Sequence, residues 1–174
     1  GKPSVDRPWM RYYPEALISG LEVPKCTVNE YLKMNCPGDE VAAMHYYGAD
    51  ILWREVFENA EAAARSLSAL GFGENDQIPV FLRSVPEFVY LLLGAEKIGA
   101  SLLCRDNTLE ENVEAVAKSG AKAIVAHDFL QQNELEAYLA GSETKKVVLV
   151  NPCNSCSRSD MPDYILKCLD NNYA

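Results

Sequence analysis

From residue 53 to residue 150 the chain alternates helix-length segments with strand-length apolar runs, and that alternation leaves few folds open. Trp53, Val56, Phe57, Ala60, Ala64, Leu67 and Leu70 recur at three- and four-residue steps, while Arg54, Glu55, Glu58 and Glu61 fall on the other side. This is the pattern of a helix that buries one stripe. Gly71 stands where a left-handed residue ends such a helix. Residues 78–82 form a strand-length run, and Pro86 opens a second helix that extends to about residue 98. Leu91, Leu92 and Leu93 spread too far around this helix for a solvated surface, so burial on more than one side is expected. Residues 101–104, 121–126 and 145–150 read as further strands, separated by helices over 108–118 and about 128–139. Thr108 and Glu111 spell a capping box, and Gly120 is a C-cap.

Strands joined by helices of these lengths require crossover connections, which are right-handed and make neighbouring strands parallel. The expected class is α/β: a three-layer, mostly parallel sheet with flanking helices. Ahead of it, Thr27 with Glu30 caps a short helix that stops at Pro37 and Gly38. Residues 41–47 and 49–53 flank Gly48 as a tight hairpin running directly into the first long helix. The organisation expected is an extended arm over 1–26, rich in proline, then an α/β subdomain over 27–150, then a loop and helical segment over 151–174.

Composition fits one folded domain, with 48% hydrophobic and 24% charged residues. The formal net charge of -9, with no cluster of lysine and arginine among aromatics, disfavours nucleic acid as a partner. No run approaches the eighteen or so apolar residues of a membrane span, and no basic stretch leads into an apolar one as in a signal peptide. A cytoplasmic protein is the expectation.

Cysteines at 26, 36, 104, 153, 156 and 168 lack the dense spacing of a disulfide scaffold, and free thiols are expected. Cys153 and Cys156 have the spacing of a zinc or redox pair. Only Cys168 follows them, however, and His45 and His127 lie far upstream, so a polar loop is the preferred reading.

The remaining candidates for chemistry have structural explanations. Gly71-Phe72-Gly73 follows a helix rather than a strand and lacks a third glycine, so it reads as a turn. The segment 141–146 contains glycine, serine, threonine and lysine, but Glu143 and its place before a strand make it a surface turn. His45 and His127 could each serve as a general base only beside a partner that sequence alone does not place. Glu110 and Glu111 are accounted for by capping and the helix dipole. No catalytic, cofactor-binding or metal-binding residue is assigned.

Several segments, in order, resemble the start of the AMP-forming adenylating enzymes, the acyl-CoA synthetases and their relatives. Leu52-Trp53-Arg54-Glu55-Val56 corresponds to that family's Thr/Ser-Tyr-x-Glu-Leu helix start. The aromatic and the glutamate are kept, but the capping hydroxyl is missing, so another group must satisfy the first helical amides. Ala69-Leu70-Gly71 with Glu74-Asn75-Asp76 is similar to the family's Leu-Gly-x-x-x-Gly-Asp turn. Ser84-Val85-Pro86-Glu87-Phe88, Ala95-Glu96-Lys97-Ile98-Gly99-Ala100 and Ser119-Gly120-Ala121-Lys122 resemble later landmarks. Met10-Arg11-Tyr12-Tyr13-Pro14 looks more like stand-alone ligases than peptide-synthetase modules.

The resemblance covers residues 27–150 and implies an incomplete portion of the family's large N-terminal domain. It implies a parent that activates a carboxylic acid with ATP and Mg²⁺, forming an acyl-adenylate and pyrophosphate, and then transfers the acyl group to coenzyme A. The family's Gly-rich loop, nucleotide-binding region and distal lysine have no counterpart here. The segment alone is therefore expected to be inactive and to rely on the remainder of its own chain. The alternatives are a stand-alone binding or scaffold domain derived from that fold, and a small metal or redox protein using Cys153 and Cys156.

Overall fold

The computed structural model describes residues 2–18, 23–104, 108–128, 130, 132–140, 146–155 and 163. The arm is not extended as expected. It winds into short helical turns, α1 (Pro3–Asp6), a 3-10 turn (Pro8–Tyr12) and α2 (Glu15–Ile18). Pro8 enters at the first position of its turn, where a missing N–H costs nothing.

Helix α3 (Val28–Asn35) starts with the expected capping box, Thr27 accepting from the Glu30 N–H and Glu30 from the Thr27 N–H. It is tied to the body by Glu96, whose carboxylate accepts from the Val28 and Asn29 N–H groups at 2.7 and 2.8 Å and from the Asn29 amide. Burial opposes the charged form of Glu96, but these donors outweigh it and hold the carboxyl below its ordinary range.

Strands β1 (Ala42–Tyr46) and β2 (Ala49–Leu52) form the expected antiparallel hairpin. Its turn residues, Tyr47 and Gly48, both have positive φ (43° and 81°), as a two-residue turn matched to strand twist requires. Helix α4 (Trp53–Ala69) follows at once. The amides that the lost hydroxyl leaves open are met by the backbone: Trp53 N–H donates to the Val41 carbonyl at 3.0 Å and Arg54 N–H to Asp39 at 3.1 Å.

The main sheet holds β3 (Gln77–Phe81), β4 (Ser101–Leu103), β5 (Ile124–His127) and β6 (Val147–Val150), all parallel, in the order β4-β3-β5-β6. Between them run α5 (Pro86–Lys97), α6 (Leu109–Ser119) and α7 (Gln132–Ala140). Pro79 lies within the central strand β3, yet it costs little pairing. The ladder to β4 ends at Pro79 and the ladder to β5 begins at Val80.

One face of the sheet packs Ile78, Val80 and Val125 against Leu67 of α4 and Ala95 of α5. The other packs Ile124 and Phe81 against Val116 of α6 and Tyr138 of α7, with the Phe81 and Tyr138 rings stacked 4.2 Å apart. Burying a side chain such as Leu67 or Ile78 contributes about 2 kcal/mol. The hairpin and α3 cover the outside of the α4/α5 layer through Ile51, Leu32 and Met44. The leucine triplet divides as its position between layers demands. Leu91 packs toward the sheet and Leu93 toward the hairpin side, while Leu92 is left exposed.

Candidate functional site

The strand order creates a topological switch between β3 and β5. From the end of β3 the chain turns into α5 on one face, and from the end of the adjacent β5 it turns toward α7 on the other. Connections that part in this way leave a crevice at the carboxyl ends of the strands, where open α/β sheets hold ligands.

His127 ends β5 in this crevice and is only 3% exposed. Its Nε2 accepts from the Arg83 backbone N–H at 2.7 Å, and its Nδ1 lies 3.4 Å from the Val150 carbonyl. One imidazole therefore joins the ends of β3, β5 and β6. Burial lowers its pKa from the ordinary value, with the nearby Arg83 charge acting in the same direction, while the Val150 carbonyl, Asp128 and Glu87 act against the shift.

Beyond β6 the chain turns over the N-terminus of α5. Tyr46 Oη donates to the Pro152 carbonyl at 2.9 Å, Cys153 N–H donates to Asn151 Oδ1 at 2.8 Å, and Ser155 Oγ donates to Glu87 Oε1. The Tyr90 hydroxyl hydrogen-bonds with Ser155 and Asn59, and burial raises its pKa. Two buried oxygens in this region, Glu87 Oε2 and Asp128 Oδ1, have no hydrogen-bond partner among the described residues.

Of the sequence candidates among the described residues, His127 stands at the strand ends and Cys153 in the turn after β6. His45 is exposed on the hairpin and pairs with Asp50 at 2.5 Å. Glu111 completes the capping box at Thr108. Gly71 and Gly73 form a helix-to-strand turn at the opposite end of the sheet, with Gly71 at φ +99°. Cys153 lies in the turn after β6, while Cys156, Cys168 and the segment 141–145 lie outside the described residues. Among the described residues no group of three or more histidine, cysteine or acidic side chains is placed to hold a metal ion, and no helix is long and apolar enough to cross a membrane. Arg83, Glu87, Tyr90 and Ser155 were not singled out by sequence reading. Applying the strand-end rule to the helix-strand alternation would have pointed to Arg83, two residues beyond β3, and to Glu87 in the first turn of α5.

Strand order and connections define a doubly wound α/β domain. The profile of the AMP-binding enzyme family matches residues 33–165, well over half of the chain, and the chain belongs to that family. A human mitochondrial acyl-coenzyme A synthetase, ACSM2B, is 32% identical over 116 residues, covering 63% of this chain and 20% of that protein. Surfactin synthase subunit 3 of Bacillus subtilis is 28% identical over 105 residues, 59% of this chain and 8% of its own length. A benzoate CoA ligase structure from Burkholderia xenovorans superposes with a TM-score of 0.62 at 18% identity, over 71% of this chain and 25% of that one. The anthranilate CoA ligase AuaEII, solved with anthranoyl-AMP, gives a TM-score of 0.61 at 18% identity, over 70% and 24%. The structural likenesses establish the fold. The chain spans about a fifth of the length of the human relatives it matches.

Proposed function

We propose that these 174 residues are the N-terminal segment of an ATP-dependent, AMP-forming carboxylic acid–CoA ligase, organised as an arm (1–26), an α/β subdomain (27–150) and a connecting segment (151–174). The observation that carries this reading is the family match over residues 33–165 in a chain spanning only 20% of the human synthetase's length. In such a ligase a carboxylate oxygen attacks the α-phosphorus of ATP and pyrophosphate departs. The thiol of coenzyme A then displaces AMP from the acyl-adenylate. ATP with Mg²⁺, coenzyme A and a carboxylic acid are the partners proposed, with the cytoplasm as the compartment.

The groups that stabilise charge at the α-phosphate are proposed to lie outside this segment, and none of its residues is given a catalytic, cofactor or metal role. The crevice chemistry favours that division. Glu87 and Asp128 bring carboxylates to the strand ends, and negative charge there disfavours a phosphate. Apolar side chains left open on α3, with Val28, Tyr31 and Met34 all exposed, and Leu149 on edge strand β6 are surfaces for the remainder of the polypeptide. The test is ATP–pyrophosphate exchange with a panel of carboxylic acids. The whole protein is expected to exchange and the 174-residue chain to show none. Robust exchange by the short chain overturns the proposal.

A further inference from the structure

We propose that His127 is an acid-labile latch on the switch-point crevice: neutral, it holds the end of β3 to the ends of β5 and β6, and its protonation releases the 82–85 loop. The argument begins with the Arg83 backbone N–H, which can only donate. At 2.7 Å from it, Nε2 must offer a lone pair, so the ring's single proton sits on Nδ1, on the side of the Val150 carbonyl. A second proton would point N–H against N–H across that short distance. The ring is 3% exposed, so neither water nor a rotated rotamer can replace the lost acceptor without opening the edge.

Among the described residues, the charges facing the ring come from three elements. Asp128, next on its own segment, and Glu87, from α5, favour the imidazolium; the Arg83 guanidinium, from the β3–α5 loop, opposes it; β6 presents the Val150 carbonyl. Burial outweighs the favourable terms, so the latch stays closed at neutral pH. The freed loop leads directly into α5, whose second residue, Glu87, holds Ser155. Release at Arg83 therefore loosens both walls of the crevice. The neutral ring also defines the arrangement available to any ligand there, and this holds whichever ligand the crevice takes.

The experiment is hydrogen exchange read by mass spectrometry on the full protein, without ligand, from about pH 7.5 to about pH 5, with intrinsic rates corrected. Wild type is expected to lose at least about tenfold protection in the peptide spanning 82–85, while the hairpin peptide containing exposed His45 stays level. His127→Gln places an amide oxygen near Nε2 without a titrating proton, and its 82–85 peptide is expected to stay level as well. A level wild-type profile, or the same step in His127→Gln, overturns the proposal. Should His127→Gln fail to fold, wild type alone decides: a step confined to 82–85 and its β6 neighbours supports the latch, and a step shared with the hairpin overturns it. No outcome depends on adenylation activity, so the ligase reading stands or falls separately.

Discussion

The two ends of the parallel sheet handle polar groups in opposite ways. At the amino edge, Asp76 accepts from the Gly73 N–H at 2.8 Å and from Lys122 Nζ at 2.6 Å, and the same ammonium donates to the Gly71 carbonyl at 2.6 Å. Asn75 N–H donates to Gly99 and Ser101 N–H to Asp76, so one knot joins the turn before β3, the turn before β4 and the residue leading into β5. At the carboxyl edge a buried histidine does the joining, and Glu87 and Asp128 each have one oxygen with no donor among the described residues. Among the described residues, charged side chains and turns join the amino edge, and one neutral ring joins the carboxyl edge. Open α/β sheets hold ligands at the carboxyl edge.

Acid should pull the two edges apart in order. The lowered His127 pKa means that the unfolded chain binds a proton more readily than the native one. Its contribution to stability is therefore complete above the ordinary value of 6.5 and is lost as pH falls through the lowered native value. Asp76 is also lowered, first by its hydrogen bond with Lys122 and then by Gly73, so its contribution persists until pH falls below the ordinary 3.8 and on through its native value. Hydrogen exchange across pH should show the carboxyl edge opening while the amino edge remains protected. Simultaneous opening would erase the distinction.

The largest mutational effect should come from a position beneath both edges. Gly94 of α5 is buried, and a Cβ there would lie 2.8 Å from the Ala64 nitrogen, 2.8 Å from the Ala63 Cβ and 3.0 Å from the Ala60 carbonyl. These are mostly backbone atoms of α4 and cannot turn aside, so Gly94→Ala must separate the helices. A loss of about 3 kcal/mol is expected in denaturant unfolding, with both edges losing exchange protection together.

Gly99→Ala should act at the amino edge alone. Gly99 has φ +74°, and its Cβ would meet Glu74 Cγ at 3.1 Å and Cα at 3.2 Å. A left-handed non-glycine residue costs about 1–2 kcal/mol, and here it also presses on the turn that presents Asn75 and Asp76. Exchange should rise in 73–76 and 99–101 while the peptide containing Arg83 is unchanged. An equal rise at Arg83 would show the edges to be one cooperative unit.

The layers of this fold were legible because each main element carries a local signal. The stripe from Val56 to Leu67 is buried as its spacing demands, and Thr27 with Glu30 and Thr108 with Glu111 cap the helices they announce. The arm was misread because turns of four or five residues are too short to show periodicity, and its prolines favour a helix start as readily as extended chain. Leu92 differs from its neighbours only in where the two covering layers end. The crevice was not legible in the sequence, which raised His127 at a strand end but placed no partner for it. Its partners Arg83 and Val150 are 44 and 23 positions away, and they meet because β5 sits between β3 and β6, a strand order that no local pattern encodes.

The smallest effect tests the comparison most directly, because it makes one chemical change at both ends. Asp76→Asn keeps the shape, and with its amide oxygen in the place of Oδ2 it still accepts from Lys122 and from the Gly73 N–H, but it removes the negative charge that the ammonium pairs with. The denaturant midpoint should fall modestly, as the pair is partly exposed. Glu87→Gln keeps one oxygen for Ser155 and places N–H donors where Oε2 now has no partner. Its stability should stay within about 0.5 kcal/mol of wild type. If both amides cost the same, the orphaned oxygen at the carboxyl edge is already satisfied in solution and the edges are chemically alike. If only Asp76→Asn costs, the carboxylate charge matters at the amino edge and not at Glu87, and the two edges differ chemically.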